Sequence, residues 1–258
     1  MLQFTGQEIQ TLLSELVWPF LRLSGLFLAA PFFGAPSVPV RARVALAALT
    51  AWLLAPVVPA PAQVALFSGL GFLTALQQLL IGLAMGFVLQ LVFALFVVGG
   101  QSIAMAMGLG FASAVDPQNG VQVPVVSQAF LILVTLVFLA LNGHLMLIEL
   151  VADSFRLLPA APLGLEPEAF HRIALWGGYM FAGGLLVALP AVTGLLLVNI
   201  AFGVAARAAP QLNIFAVGFP VMILAGFLLV WLVLPGLGDR FGGMMLDAFQ
   251  LIRRLWVI

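Results

Sequence analysis

The sequence feature that most constrains the fold is an almost uninterrupted apolar run from Val64 to Gly100. As a helix, this run would extend roughly 55 Å at about 1.5 Å per residue, whereas the hydrocarbon core of a bilayer is about 30 Å thick. The whole chain is 64% hydrophobic and 7% charged, against about 25% charged residues in soluble domains. The chain is therefore predicted to be an integral membrane protein, and disordered, collagenous and disulfide-stapled secreted chains are excluded.

The other apolar runs fit a bilayer poorly. Pro190 and Pro220 lie inside long runs and predict kinks, whose freed carbonyl groups must find partners within protein. We therefore expect an all-α membrane protein of long kinked helical hairpins, packed against other subunits in a hetero-oligomer. A tilted six-helix bundle is the alternative. The expected organisation is one membrane-embedded domain over residues 1–258, with a polar loop at about 101–124 and an amphipathic segment at about 239–258. There are about six apolar runs including Val64–Gly100. The other five are Leu16–Phe33, Val44–Ala55, Gln128–Val151, Ile173–Val204 and Ile214–Leu234.

The charged residues are few and unusual in kind. All nine basic residues are arginine and there is no cysteine, so a P-loop lysine, a Schiff-base lysine and a cysteine metal site are excluded. The sequence contains no stripe of clustered basic residues of the kind that nucleic-acid binding requires. Glu8 and Glu15 precede the first basic residue, Arg22, which argues against a cleavable signal. Arg22 is the only charge deep within an apolar run, and Glu15 is a possible partner for it.

No residue pattern predicts catalysis, a metal or a cofactor. His144 and Glu149 are five residues apart, so on a helix their side chains diverge rather than forming a metal site. Glu149 and Asp153 share a helix face, with Arg156 one turn beyond Asp153. We interpret these three residues as an ion-paired group at an interface, rather than as a catalytic dyad. The chain is expected not to be an enzyme.

The polar stretch after the longest run combines flexible backbone with soft side chains. Met105 and Met107 precede Gly108 and Gly110, Phe111 follows them, and turn residues come next from Asp116 to Gly120. Such side chains suit a reversible seal around an irregular substrate. Composition alone favours a plain connecting loop.

Three sequence blocks carry a resemblance to a known family. They are Gly110-Phe-Ala-Ser-Ala-Val-Asp-Pro-Gln118, Asn142-Gly-His144 and Arg207-Ala-Ala-Pro-Gln-Leu-Asn-Ile-Phe-Ala-Val-Gly-Phe-Pro220. With these blocks, and with the order of its apolar runs, the chain closely resembles the FliR family. Members of that family are export-gate membrane proteins of the bacterial flagellar type III secretion apparatus.

The resemblance implies a place in a larger channel of the bacterial inner membrane, within the flagellar basal body. One copy of the chain is expected to assemble with several copies of FliP and FliQ, and FlhB and FlhA are expected at the cytoplasmic opening. Unfolded flagellar subunits would pass through, without covalent chemistry at this chain. The loop from Met105 to Asn119 would act as a pore plug. The implied plug residues are Met105, Met107, Gly108, Gly110, Phe111, Asp116 and Asn119.

The remaining residues that we singled out are expected to be structural or to contact other subunits. They are Glu149, Asp153, Arg156, Arg207, Pro210, Asn213, Phe215, Gly218 and Pro220.

Three alternative functions remain open from the sequence: a homologous subunit of a virulence injectisome, a secondary transporter, and an intramembrane enzyme. A transporter would need an acidic residue at the membrane midplane, and an enzyme would need a convergent set of histidine and acidic residues.

Overall fold

A computed structural model describes residues 6–35, 38–59, 64–109, 125–162, 164–208 and 214–256. These residues form eight α-helices and a 3₁₀ turn at Leu234–Gly236, with no strand among them, which confirms the all-α prediction. The helices are α1 (Gly6–Ala29), α2 (Val40–Leu54), α3 (Gly69–Ala106), α4 (Val125–Ala140), α5 (Gly143–Leu157), α6 (Pro167–Ala208), α7 (Ile214–Val233) and α8 (Leu237–Arg254).

Two helices are much longer than a bilayer needs. α3 has 38 residues and α6 has 42, which correspond to about 57 Å and about 63 Å. α2 has 15 residues and, at about 22 Å, is too short to span the core alone. By length and composition, four described segments could cross a membrane, or five if α4 and α5 form one broken span. The four segments are Leu12–Ala29, Gly69–Ala106, Pro167–Ala208 and Val217–Arg254.

The break between α4 and α5 has a local cause. Asn142 has a φ of 55°, in the left-handed region, and Gly143 follows it as the first residue of α5. Asparagine tolerates this conformation better than other residues with a side chain because its short polar group can bond locally. The Asn142-Gly143 pair therefore ends one helix and starts the next.

The chain divides into two compact units. The first contains Met1–Leu91, Asn142–Trp176 and Met245–Ile258, and the second contains Val92–Leu141 and Gly177–Met244. Helices α3, α6 and α8 each contribute residues to both units.

In the first unit, α1 and α3 approach each other at glycines. A Cβ atom added to Gly82 would overlap the carbonyl oxygen of Arg22, and one added to Gly25 would overlap that of Leu79. At Gly86 the added atom would lie 2.7 Å from the carbonyl oxygen of Leu26. Gly82 and Gly86 form a GxxxG pair, a spacing that lets two helix backbones come close. These glycines are therefore required for the contact between α1 and α3.

The second unit packs through aromatic rings and small residues. Phe93 makes edge-to-face contacts with Phe138, at 5.7 Å between ring centroids, and with Phe241, at 5.3 Å. Such geometry favours the ring quadrupoles in addition to burying apolar area. A Cβ added to Gly100 of α3 would lie 2.7 Å from the Cα of Ser127 in α4. The Ser127 hydroxyl donates a hydrogen bond to the Val97 carbonyl, at 3.1 Å.

Helix α8 is amphipathic. Arg240, Gly243, Asp247, Gln250 and Arg254 are all exposed along one stripe. The opposite side is buried, because apolar residues recur there at helical spacing. The buried residues are Phe241, Met245, Ala248, Phe249 and Ile252.

Arg22 is the centre of a polar cluster inside the first unit. Its side chain is 0% exposed. The Nε group donates to Oε1 of Gln78 at 2.9 Å, and Nη2 donates to the same oxygen. Nη1 donates to the Ser154 hydroxyl at 2.7 Å, and Nη2 also donates to the Leu158 carbonyl at 2.9 Å. The guanidinium lies 3.6 Å from the ring centroid of Phe155. One side chain therefore joins α1 to α3, to α5 and to the turn after α5.

The partner of Arg22 differs from the one suggested by the sequence. Glu15 is half-buried two turns earlier on α1, and residues seven apart are separated by about 10 Å along a helix. Gln78 and Ser154 contact the guanidinium instead, although each is distant in sequence. The suggested Arg22–Glu15 pair was therefore wrong, because α3 and α5 bring neutral acceptors directly against the arginine.

We expect Gly82→Ala to destabilise the protein, because the added methyl group meets the backbone of α1 rather than a movable side chain. The predicted loss is about 1–3 kcal/mol, as for overpacked cores. Thermal unfolding of the purified chain in detergent measures it. Gly178→Ala is the matched control, since an added Cβ there meets nothing within 4 Å, and it should unfold at or above the wild-type temperature. Equal melting temperatures for both variants would contradict the close approach at Gly82.

The Arg22 cluster predicts a non-additive mutant pair. Gln78→Leu removes two hydrogen bonds from a buried guanidinium, and Arg22→Met leaves the buried Gln78 amide without its partner. Each single variant should lose about 1–3 kcal/mol or more, and the double variant should lose clearly less than the sum. The measurement is thermal unfolding in detergent. Gln90→Leu, at an exposed glutamine of α3, should change little. Strict additivity would show that the two side chains do not interact.

Candidate functional site

Helix α3 ends in a well-defined capping motif immediately before the segment predicted to be a plug. Gly108 has a φ of +82°, a conformation that favours glycine. The Gly108 N–H donates to the Met105 carbonyl at 3.0 Å, and the Leu109 N–H donates to the Ala104 carbonyl at 3.0 Å. These two bonds are the pair of a Schellman motif, with Gly108 at its left-handed position. Gly108 therefore ends α3 two residues before the segment 110–124 begins.

The two predicted plug methionines have different environments. Met107 is fully buried, whereas Met105 is 64% exposed. Residues two apart on a helix point to different faces, and Met107 continues a buried stripe that begins with Ile103 and Ala104. The two methionines therefore cannot serve the same contact. Helical spacing could have separated them before the structure was known.

Met107 packs against a glycine of α7. A Cβ added to Gly226 would lie 2.6 Å from both Sδ and Cε of Met107. The space beside Gly108 is bounded by the ring of Phe219, also on α7, at 3.7 Å from the position of an added Cβ. All four residues belong to the second unit. The end of α3 is thus held by one face of α7.

Several predicted residues lie outside the described part of the chain. These are the plug residues after Leu109 and two residues of the Arg207–Pro220 block. Their roles stay predictions. The residues concerned are Gly110, Phe111, Asp116, Asn119, Pro210 and Asn213.

The rest of the Arg207–Pro220 block lies on two helices. Arg207 is exposed in the last turn of α6, where a positive charge is favoured by the helix dipole. Gly218 is buried in α7, Pro220 is exposed, and Phe215 lies in the first turn of that helix. The structural or subunit-contact roles assigned to these residues stay predictions.

Two of the three charged residues singled out on α5, Asp153 and Arg156, form a surface ion pair. Nη1 of Arg156 lies 3.6 Å from Oδ1 of Asp153, and the two side chains are 62% and 36% exposed. Exposed pairs of this kind contribute about 0–1 kcal/mol. Glu149 is exposed one turn earlier. The trio is available to a neighbouring subunit, and its contact role stays a prediction.

Three residues that matter in the structure were not singled out by the sequence. Gln78 and Ser154 bind the buried guanidinium of Arg22, and Gly226 receives Met107. Gln78 carried only a partial signal, because a buried amide needs a partner but α3 also contains exposed glutamines such as Gln90, which sequence alone does not distinguish from Gln78. Gly226 carried none, since glycines are common in apolar helices.

Sequence comparisons agree with the resemblance noted above. Residues 13–248 match the family described as "Bacterial export proteins, family 1". The chain is 38% identical over 252 residues to "Flagellar biosynthetic protein FliR" of Escherichia coli (strain K12), with 98% of this chain and 96% of the relative covered.

Relatives of the same name occur in other bacteria. The protein of Pectobacterium carotovorum subsp. carotovorum is 39% identical, with 91% of this chain and 90% of the relative covered. That of Bacillus subtilis (strain 168) is 30% identical, with 82% of each chain covered. The resemblance to the FliR family is confirmed. Because the match extends over nearly all of its 258 residues, this chain belongs to the Bacterial export proteins, family 1.

Proposed function

We propose that the chain is a subunit of the flagellar export gate, which conducts unfolded flagellar subunits across the bacterial inner membrane. The observation that carries the proposal is the family match over residues 13–248, together with relatives named FliR that are covered almost end to end. In this role the chain forms part of a pore wall and performs no covalent chemistry. FliP and FliQ are its proposed partners in the gate, with one copy of this chain per complex.

The exposed apolar surface supports assembly with other proteins. Large apolar side chains are exposed along α6 from Leu175 to Val204, a distance of roughly 44 Å along a helix. A hydrocarbon core of about 30 Å covers only roughly 39 Å of helix even at a tilt of about 40°. Lipid alone is therefore too thin to cover this face, and the remainder needs protein. The exposed side chains include Leu185, Leu186, Leu189, Leu196, Leu197 and Ile200.

Helix α7 supports the same conclusion. Its sequence is apolar on all sides, a property typical of helices that are buried or embedded in lipid. The most apolar window of the Val217–Arg254 segment is nevertheless only 11% buried within the chain. Association with FliP- and FliQ-like helices would remove this surface from solvent, and the surrounding lipid would cover the rest.

The plug role is proposed for the chain after α3. The proposed plug segment starts at Met105, Met107 and Gly108. It continues through Gly110, Phe111, Asp116 and Asn119. Gly108 supports this role, because its Schellman motif ends the helix just before that segment. Thioether side chains suit a seal that must open and close on different sequences. FlhB and the FlhA ring are the proposed neighbours at the cytoplasmic opening.

Assembly can be tested by native mass spectrometry after co-expression with FliP and FliQ of the same bacterium and extraction in mild detergent. We expect one large complex that contains a single copy of this chain, because its apolar faces are stable only when covered. A stable monomer that ignores both partners would contradict the proposal and favour the transporter alternative. Export of virulence effectors instead of flagellar subunits by the assembled complex would favour the injectisome alternative.

The plug can be tested by ion conductance of the assembled complex. Replacing Met105 to Met107 with glycine, or deleting residues 108–114, should raise the leak of small ions while export of flagellar subunits persists. The physical reason is that both changes remove the seal and leave the pore wall. Conductance in planar bilayers is the measurement. Gln90→Gly, at an exposed position on the same helix, is the control and should not leak. Unchanged conductance in both plug variants would refute the plug assignment.

A further inference from the structure

A cleft of about 410 Å³ lies in the first unit, beside the start of α6 and the end of α8. Its walls come from the end of α5 and the turn that follows, from the first two turns of α6, and from the two residues after α8. Ligand pockets have volumes of roughly 300–1,000 Å³. Segments that are distant in sequence therefore form one concavity large enough for a ligand.

The cleft lies where two segments that could cross a membrane have their ends. Pro167–Ala208 begins beside the cleft, and Val217–Arg254 ends beside it. The two ends are in direct contact, because Nη1 of Arg172 donates a hydrogen bond to the Arg254 carbonyl at 3.0 Å. Lipid headgroups meet protein at the ends of membrane-crossing helices, and tryptophan is enriched at that depth. Trp256 lines the cleft, so this position suits contact with a headgroup.

The cleft contains hydrogen-bond donors that favour an anionic group. Trp256 is 6% exposed, and its indole Nε1 has no hydrogen-bond partner among the described residues. Leaving a buried N–H unpaired is unfavourable. Arg172 adds a cation to the same wall. Indole and guanidinium groups donate hydrogen bonds and accept none, so together they require an acceptor such as a phosphate.

Two carboxylates in the same cleft favour a cationic group. Glu166 and Glu168 both line it. Nε of Arg172 lies 4.0 Å from Oε1 of Glu168, and the two side chains are 42% and 61% exposed. An exposed pair at this distance contributes little to stability, so both charges remain available to a ligand. An ionised carboxylate only accepts hydrogen bonds, and a primary ammonium supplies three donors.

We propose that this cleft binds the headgroup of a zwitterionic aminophospholipid, phosphatidylethanolamine. The phosphate accepts hydrogen bonds from Arg172 and from Nε1 of Trp256, and the ammonium donates to Glu166 and Glu168. The first carbons of an acyl chain pack on leucine side chains of the lining, such as that of Leu157, and the rest of the lipid stays in the bilayer. The inference is independent of the proposed function, because it needs only the first unit and a lipid.

Charge complementarity selects this lipid over other occupants. An anionic phospholipid such as phosphatidylglycerol offers a phosphate to Arg172 but brings no cation to the two carboxylates. Phosphatidylcholine carries both charges, but its quaternary ammonium has no N–H to donate. A lysine of a partner protein satisfies the carboxylates and leaves the indole N–H without an acceptor. Phosphatidylethanolamine matches both charges and both sets of hydrogen-bonding groups.

Native mass spectrometry tests the assignment of the phosphate. The full chain, stripped of lipid in mild detergent, is titrated with phosphatidylethanolamine or phosphatidylglycerol, and the lipid-bound fraction gives each dissociation constant. Wild-type protein should bind phosphatidylethanolamine more tightly. Arg172→Gln and Trp256→Phe should each weaken that binding by about tenfold, which corresponds to about 1.4 kcal/mol. The matched controls are Arg41→Gln and Trp52→Phe, at exposed positions of α2 outside the cleft, and both should bind as wild type does.

A change of lipid preference tests the assignment of the ammonium. The paired variant Glu166→Gln with Glu168→Gln should bind phosphatidylethanolamine less tightly and phosphatidylglycerol more tightly, since it removes the partners of the ammonium and the repulsion of an anionic lipid. A gain of affinity for one lipid cannot result from loss of folding. Glu149→Gln with Asp153→Asn, on α5 and outside the cleft, is the control and should leave the preference unchanged.

Three results would overturn the inference. They are wild-type affinity in both Arg172→Gln and Trp256→Phe, equal wild-type affinity for the two lipids, and an unchanged preference in the paired glutamate variant. Loss of the bound lipid when FliP and FliQ are added would instead assign the cleft to a partner protein, and would equally reject the lipid site. Assembly would still have occurred in that case, so the proposed function would stand.

Discussion

A buried guanidinium without a carboxylate partner is the interaction on which the first unit depends. Arg22 lies inside an apolar helix, and a charge in such a place is costly unless its donors are satisfied. Gln78, Ser154 and the Leu158 carbonyl accept four hydrogen bonds from its five N–H donors, and the ring of Phe155 covers the guanidinium. Neutral acceptors avoid burying a second charge. The cost of leaving any of these groups unpaired ties α1, α3 and α5 to one arrangement.

Close helix packing extends this constraint through the rest of the chain. Where lipid is the solvent, apolar burial gives little preference for one helix contact over another, so close backbone approach and van der Waals contact decide. Gly82 and Gly25 allow that approach between α1 and α3, and Gly226 creates the notch for Met107. In each case the function of glycine is to leave space that a neighbouring atom fills. The same small residue thus stabilises the fold and shapes the proposed gate.

At the proposed gate, packing against α7 holds Met107, and the helix ends at the next residue, Gly108. Ile103 and Ala104 are buried at the end of α3, and Met107, which follows it, packs against Gly226 of α7. At Gly108 the helix ends, because a left-handed residue and two capping hydrogen bonds terminate it. A plug needs both properties, since an unanchored segment would not seal and a fully helical one would not yield.

The sequence by itself determined the membrane class, the all-α fold and the family. Long apolar runs cannot fold in water, and the Arg207–Pro220 block is specific enough to be recognised in one chain. It also indicated flexible backbone around Gly108 and predicted the amphipathic segment at about 239–258, since these depend on local backbone preference and on helical period. Helical spacing could also have separated Met105 from Met107, which were assigned together to one seal.

Only the tertiary structure decided which distant residues meet. The partner of Arg22 could not be chosen from sequence, because Gln78 and Ser154 become its neighbours only when α3 and α5 pack against α1. The packing role of Gly226 could not be predicted from the sequence either. It is one glycine among 26, and it matters only because the side chain of Met107 fills the space beside it. Periodicity describes a single helix and its faces. Which face meets which neighbour depends on non-local packing, where a difference of one methyl group decides the contact.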